Sequence, residues 1–161
     1  MNLSPVLTEV QADTLQVVSF RLENEIYSLD ILCVQEIIKA LPVTQVPLTV
    51  GWIEGVINLR GQILPLINLA SRLGLKPSPY QRDTRFVIVR GREQNVGLVV
   101  DEVQEVLRLP VSLLEPAPTT AVDKDYIQAV CKYENRLVIV LDLPKVLYDN
   151  KPRSETVQEV L

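Results

Sequence analysis

The sequence of 161 residues contains no histidine and only two cysteines. Without histidine the chain holds neither a Ser-His-Asp triad nor a histidine acid/base pair, and most zinc sites and any phospho-accepting histidine are excluded as well. Cys33 and Cys131 lie far apart and neither belongs to a CxxC motif. Each is therefore interpreted as a small buried hydrophobic residue rather than a metal or redox group.

Aromatic residues and positive charge are also scarce. Only 5% of the residues are aromatic, the formal net charge is −4 and the sequence pI is about 4.9. This composition argues against a base-stacking platform and against a surface that binds the phosphate backbone of nucleic acids. The chain lacks any uncharged segment of the roughly 18 residues that indicate a membrane-spanning helix, and its first residues lack a basic region followed by an apolar one. A soluble, cytoplasmic protein is expected.

Motifs of nucleotide binding and acyl transfer are missing too. The sequence contains no GxxxxGK[ST], GxGxxG or GxSxG pattern. The best candidates for acid/base chemistry are four carboxylates at predicted strand ends, namely Asp30, Asp101, Glu102 and Asp142. Aspartate at a strand end more often caps a helix or occupies a solvated turn. The chain is therefore predicted to be no enzyme, with no catalytic residue, no cofactor and no metal site.

Apolar, β-branched segments dominate what is present. The segment GVINLRGQILPLINL (55–69) is too densely apolar for a strand with one wet face, so both faces are predicted to be covered, with Ile57 buried. Gly61 supplies the turn, because glycine tolerates positive φ. Arg60 is left at the point where the chain reverses, and its head should reach the surface.

The rest of the chain indicates a mainly β protein with short helices. Further hairpins are predicted around Glu23-Asn24-Glu25, Arg92-Glu93-Gln94 and Glu134-Asn135, and ILCVQEIIKA (31–40) is predicted to be extended. Asn68 and Gly74 delimit one short helix, and Pro144 opens another. Residues 1–13 are predicted to be a flexible leader. In the tail, 149–161, apolar residues at helical spacing predict either a short amphipathic helix docked on the body or a frayed end.

An internal repeat organises the domain. One shift of the chain places VQEII (34–38) on VQEVL (103–107), and a slightly longer shift places 55–74 on 129–148. The repeats are about 15–75 and 84–148, each with about five strands, the content of a small barrel. Because a unit of roughly 60 residues is marginal alone, the two are expected to share a core. Glu36 and Glu105 are equivalent, whereas Glu134 occupies the place of Arg60.

The segments VQEII (34–38), GVINLRGQILPLINLASRLGL (55–75), VGLVVDEVQEVL (96–107) and EPAP (115–118) resemble the CheW-like coupling domain of bacterial chemotaxis. They are also similar to the regulatory domain of the CheA-type histidine kinase. One departure is Asn68-Leu69-Ala70, where the family commonly has Asp-Leu-Arg. The resemblance implies a CheW-like domain at 14–148. It would consist of two SH3-like five-stranded β-barrels related by the internal pseudo-repeat, sharing one hydrophobic core, with short helices.

The resemblance also implies a function. Family members are non-enzymatic adaptors that couple the cytoplasmic tip of a methyl-accepting chemoreceptor to the kinase's regulatory domain, and they reach membrane receptor arrays through these partners without inserting into the membrane. By position, the receptor-facing surface would include or border Val34, Glu36, Arg60, Val99, Val103 and Val106. The kinase contact would be a separate surface on one barrel. The alternative is a small β-barrel module that binds a ligand or nucleic acid, which the acidic composition disfavours.

Overall fold

A computed structural model describes residues 13–47, 51–118 and 122–149. Within these ranges the chain forms eleven strands and two short α-helices. They are β1 (Thr14–Leu22), β2 (Glu25–Asp30), β3 (Val34–Lys39), β4 (Ile53–Leu59), β5 (Gln62–Asn68), α1 (Leu69–Arg72), β6 (Arg85–Arg90), β7 (Asn95–Val100), β8 (Glu102–Pro110), β9 (Leu114–Glu115), β10 (Ile127–Tyr133), β11 (Arg136–Leu141) and α2 (Leu143–Tyr148). The predicted leader and tail lie outside these ranges, except for Asp13 and Asp149. No helix in the described ranges has the length and apolarity to cross a bilayer.

The strands form two sheets, which confirms the mainly β class with short helices. Sheet 1 has the order β8-β1-β2-β11-β10-β9, and sheet 2 has the order β3-β6-β7-β5-β4. Neither sheet closes into a complete hydrogen-bonded ring in the described residues, so the expected closed barrels are not formed. Sheet 2 comes nearest at Thr44, which exchanges two backbone hydrogen bonds of 2.9 Å with Val56. Pro42 and Pro47 flank this contact, and proline cannot donate to a longer ladder.

Strand pairing agrees with the internal repeat. Val18 lies opposite Val106 in sheet 1, and the shift that superposes 34–38 on 103–107 relates this pair to Val87 and Ile37, which lie opposite each other in sheet 2. The parallel pair of β2 and β11 corresponds in the same way to the parallel pair of β7 and β5. The two halves therefore share their register at these pairs and are related as pseudo-equivalent units.

The repeats and the sheets do not coincide. Sheet 1 takes β1 and β2 from the first repeat and the remaining four strands from the second, whereas sheet 2 takes β3 to β5 from the first and β6 and β7 from the second. The expectation that one repeat supplies the strands of one barrel therefore differs from the structure. Each repeat contributes its first hairpin to the sheet built mainly by the other, which ties the two sheets into one body.

Within the described part of the chain, three hydrophobic clusters fill the interior. The largest lies between the sheets, as expected of a shared core, and each sheet also curls around a smaller cluster of its own. Strand β6 shows how both arise, because Val87 and Val89 face the shared cluster while Phe86 and Ile88 face the cluster inside sheet 2. Alternate residues of one strand thus enter different cores. A single core, as implied by the resemblance, is therefore an incomplete description.

The central hairpin of the sequence is β4 and β5. Arg60 (φ 51°) and Gly61 (φ 87°) both have positive φ, as a tight two-residue turn requires, and Asn58 Oδ1 accepts a hydrogen bond from Gly61 N at 2.8 Å. Ile57 is 1% exposed, which confirms that it is buried. The opposite face of the hairpin is only partly covered, because Val56 and Pro65 are half-buried and 56% of the surface of Ile63 is exposed, so the expectation that both faces are covered is wrong.

The predicted helix caps are also present. Asn68 Oδ1 accepts a hydrogen bond from Ser71 N at 3.1 Å and begins α1, and Gly74 (φ 83°) follows its end. Asn is thus an adequate cap where the family commonly has Asp, since both side chains present an oxygen to the first turn. The segment predicted to be extended at 31–40 begins instead with a 3₁₀ turn, Ile31–Cys33, capped by Asp30.

Substitution of Gly55 by alanine is expected to destabilise the protein. A Cβ at this position would lie 2.2 Å from Thr44 O, and the φ of 148° is unfavourable for other residues. We expect Gly55→Ala to lower the free energy of unfolding by about 2 to 3 kcal/mol in urea denaturation. Gly51→Ala is the matched control, since a Cβ there meets no atom within 4 Å. Equal stability of the two variants would contradict the role of the Thr44–Val56 contact in fixing the edge of sheet 2.

Candidate partner-binding surface

An ion pair joins the two edges of sheet 2. Arg60, in the turn between β4 and β5, donates from Nη2 to Glu36 Oε2 on β3, although β3 and β4 lie at opposite ends of the strand order. The Arg60 side chain is 68% exposed and that of Glu36 is 34% exposed. The hydrogen bond to Glu36, followed by the charge of that carboxylate, raises the pKa of Arg60. Arg60 therefore lies at the surface as predicted, held in place by Glu36.

The second half contains an equivalent ion pair that sequence reasoning missed. Glu105, the counterpart of Glu36, lies 3.8 Å from Arg136 between Oε2 and Nη2. Arg136 follows Glu134, the direct counterpart of Arg60, by two positions. The repeat could have predicted this ion pair, because equivalent carboxylates on the third strand of each half suggest a cation on the facing hairpin in both halves. The two turns differ in charge, but each half has an ion pair between its third strand and its second hairpin.

The six predicted surface residues divide between the sheets. Val34, Glu36, Arg60 and Val99 belong to sheet 2, and Val103 and Val106 belong to sheet 1. Val34 and Val103 occupy equivalent positions at the beginning of β3 and β8, where both are half-buried and pack against the shared core. Val106 is exposed, as is its counterpart Ile37.

Val99 differs from the other five because it is only 6% exposed and packs in the cluster inside sheet 2. Its side chain supports the surface from beneath and does not contact solvent. Both faces of β7 are covered, so a residue chosen from this strand by position lies inside the protein. Among the six residues, the ion pair of Glu36 and Arg60 is the side-chain contact that the structure establishes.

The four carboxylates considered for catalysis all have structural partners. Each accepts backbone hydrogen bonds or pairs with an arginine: Asp30 from Leu32 N (2.9 Å), Asp101 from Glu23 N (2.9 Å), Asp142 from Lys145 N (3.1 Å), and Glu102 with Arg21 Nε (3.4 Å). These contacts are those of caps and turn residues. The structure therefore supports the cap interpretation over an acid/base site.

Arg72 on α1 is a second residue that sequence reasoning missed. It is 1% exposed, and its guanidinium carbon lies 4.3 Å from the ring centre of Trp52 and 5.1 Å from that of Tyr126. Its Nε donates to Val146 O at 2.7 Å, and its Nη2 donates to Asp149 O. The side chain thus joins the equivalent helices of the two repeats, with its charge at the carbonyl end of α2. The sequence feature that could have identified Arg72 is that it is the only charged residue in the apolar segment INLASRLGL (67–75).

The cysteines differ in environment. Cys131 is buried in the cluster inside sheet 1, as predicted, whereas Cys33 is half-buried in the 3₁₀ turn before β3. Burial raises the pKa of both thiols. Trp52 is buried in the shared core.

Comparison with known proteins shows a match over most of the chain. Residues 16–151 match the CheW-like domain family. The chain is 34% identical over 140 residues to the chemotaxis protein CheW of Helicobacter pylori, covering 86% of this chain and 85% of that protein. It is 36% identical over 135 residues to the chemotaxis protein CheW of Bacillus subtilis, covering 82% and 86%. The crystal structure of the scaffolding protein TtCheW from Thermoanaerobacter tengcongensis superposes with a TM-score of 0.79 and 36% identity, covering 85% of this chain and 90% of that one.

Proposed function

This chain belongs to the CheW-like family of chemotaxis scaffold proteins, and on that premise we propose that it holds a chemoreceptor and a CheA-type histidine kinase together in one signalling complex. As a member of this family it is a non-enzymatic adaptor. The observation that carries the proposal is the family match over residues 16–151, which spans both repeats and both sheets. The protein would act in the cytoplasm and reach membrane receptor arrays through its partners.

An adaptor needs two different surfaces on one body, and the interleaved repeats provide this. Since each sheet contains strands of both repeats, the repeats cannot separate without breaking the pairing of β1 with β8 and of β3 with β6. Equivalent positions have nevertheless diverged, as Arg60 and Glu134 show. Unlike surfaces at equivalent positions favour different partners over a self-complementary dimer. We interpret each curled sheet as an SH3-like barrel, which would match the fold of the kinase's regulatory domain.

The receptor-facing surface is proposed to comprise Val34, Glu36, Arg60, Val103 and Val106, with Val99 beneath it. The partly exposed valines would supply apolar contact to a helical receptor tip, and the ion pair at the rim would set orientation. Arginine suits this role because its planar guanidinium can bind a second carboxylate while one donor stays on Glu36. The kinase's regulatory domain would contact a separate surface on one of the two sheets.

Charge reversal at Arg60 tests this surface. We expect Arg60→Glu to weaken binding of a receptor cytoplasmic fragment or of the kinase regulatory domain by about tenfold or more, because a partner carboxylate is then repelled. Thermal unfolding should change little, since the side chain is largely exposed. Binding is measured by calorimetry with each purified partner. Arg136→Glu, which breaks the equivalent ion pair in sheet 1, is the matched control.

The double variant Glu36→Arg with Arg60→Glu separates two explanations of such a loss. It restores an ion pair within the protein but leaves the reversed charge at the turn. Continued weak binding would show that the partner contacts the side chains of this pair, whereas recovered binding would show that only the intramolecular ion pair matters. Undiminished binding of Arg60→Glu itself would remove this residue from the interface, and failure of the unmodified protein to bind either partner would refute the adaptor function.

A further inference from the structure

The chain segment that follows α1 covers one end of sheet 1. Lys76 N donates to Glu23 Oε1 at 3.1 Å, and Ser78 Oγ donates to Asp101 Oδ2 at 3.3 Å. Glu23 is in the turn between β1 and β2, and Asp101 immediately precedes β8. This linker fills the space almost completely, since the pocket left between it, Arg21 and Asp101 has a volume of about 40 Å³.

Among the described residues, the equivalent space at sheet 2 is a cleft. The shift that superposes 34–38 on 103–107 relates Arg21, Glu23 and Asp101 to Arg90, Arg92 and Leu32. The last three line a cleft of about 360 Å³ whose opposite wall is formed by α2, including Leu147 and Tyr148. We call this the α2 cleft. Because α2 corresponds to α1, the segment that corresponds to the linker is the one that follows Asp149.

The chemistry of the α2 cleft differs from that of its covered counterpart. Arg21 lies 3.7 Å from Asp101 and 3.4 Å from Glu102, but Leu32 and Cys33 occupy the positions of those carboxylates beside the α2 cleft. Within 13–47, 51–118 and 122–149, neither Arg90 nor Arg92 forms an ion pair with a carboxylate. The amide oxygen of Gln35, turned toward Arg90, accepts from it at 2.6 and 2.7 Å, and Arg92 lies 4.1 Å from the ring centre of Tyr148.

The cleft is thus both cationic and apolar. Leu32, at its rim, is 79% exposed, the most exposed of the large hydrophobic side chains in the described residues. An occupant that fits would bring carboxylates for the two arginines together with apolar side chains for Leu32 and Leu147. A polar linker such as 76–84 would not meet these requirements.

The segment 150–161 has this composition and begins beside the cleft. Its last seven residues carry Glu155 and Glu159 together with Val157, Val160 and Leu161, and its two basic residues, Lys151 and Arg153, precede them. Its attachment point at Asp149 follows Tyr148, which lines the cleft, and twelve residues can span up to about 40 Å when extended. We propose that residues 150–161 of the same chain dock in the α2 cleft. The carboxylates face Arg90 and Arg92, and the apolar side chains cover Leu32 and Leu147.

Reactivity of Cys33 provides the test, because this thiol lines the cleft while Cys131 is fully buried. The rate at which iodoacetamide alkylates Cys33 is measured by peptide mass spectrometry in the unmodified full chain and in the double variant Val157→Asp/Leu161→Asp. The variant should react at least about tenfold faster, since two charges cannot enter an apolar contact. The matched control, Asn150→Asp/Gln158→Asp, adds the same charge at polar positions and should react like the unmodified protein.

A second readout follows the segment itself. Docking should slow tryptic cleavage after Arg153, and the double variant should lose this protection. If the double variant also exposes Cys131, it has unfolded, and Arg92→Glu replaces it with the same expected gains. Unchanged alkylation and cleavage in the folded variants would overturn the proposal. Protection that grows with protein concentration would also overturn it, because the occupant would then be the segment of a second copy.

Discussion

Replacement of Ile57 by aspartate is expected to leave the protein unfolded at room temperature. Ile57 is 1% exposed and packs in the cluster inside sheet 2 with Leu64, Leu66 and Phe86. A carboxylate there would lie among apolar side chains, and burying it costs several kcal/mol in addition to the lost apolar contact. Since small domains are stable by only about 5 to 15 kcal/mol, this loss is comparable to the whole free energy of folding.

The measurement is circular dichroism with a thermal scan, and Ile63→Asp is the matched control. Ile63 lies on the other strand of the same hairpin but is 56% exposed, so its aspartate stays in water. We expect the control to melt cooperatively near the temperature of the unmodified protein. A cooperative transition in Ile57→Asp would mean that water reaches the interior of sheet 2, contrary to the burial of Ile57 in the cluster inside that sheet.

Truncation of Arg72 is expected to have the next largest effect. Arg72→Ala removes a guanidinium between two aromatic rings and leaves the carbonyls of Val146 and Asp149 without this donor. A hydrogen bond from a charged donor contributes about 1.5 to 3 kcal/mol, so loss of both is expected to cost about 3 to 5 kcal/mol. Urea denaturation should show this loss, and the emission of Trp52, the single tryptophan, should change in the native state.

Two further variants sharpen the result. Arg72→Met keeps most of the side-chain volume without the charge, so it separates packing from hydrogen bonding. Arg92→Ala is the control, because its guanidinium also stacks on a ring, that of Tyr148, but at an exposed position where the contact contributes about 0.5 to 1 kcal/mol. If Arg72→Ala is no more destabilising than Arg92→Ala, the helices α1 and α2 are not held together by this side chain.

Much of the local structure could be predicted because its causes are local. The turn at Arg60-Gly61 requires positive φ, the cap at Asn68 needs only an oxygen within one helical turn, and the apolar alternation indicates burial. The 3₁₀ turn before β3 was harder to predict, because Ile31–Cys33 belongs to a longer apolar run and only the capping residue Asp30 marks the turn. Of the candidate surface, the exposure of Arg60 was predictable, whereas the burial of Val99 was not, because both sides of β7 are covered by strands distant in sequence.

The sequence by itself determined the family, the succession of strands along the chain and the internal repeat, because these follow directly from residue type and spacing. Only the tertiary structure decided which strands share a sheet. The sequence offset between equivalent segments is the same whether each repeat forms a sheet of its own or exchanges its first hairpin with the other repeat. The pairing of β1 with β8 and of β3 with β6 shows that the hairpins are exchanged. It also decided that Glu36 faces Arg60, that Glu105 faces Arg136 and that Arg72 lies between two rings. These contacts depend on where separate segments meet in space, which no local pattern specifies.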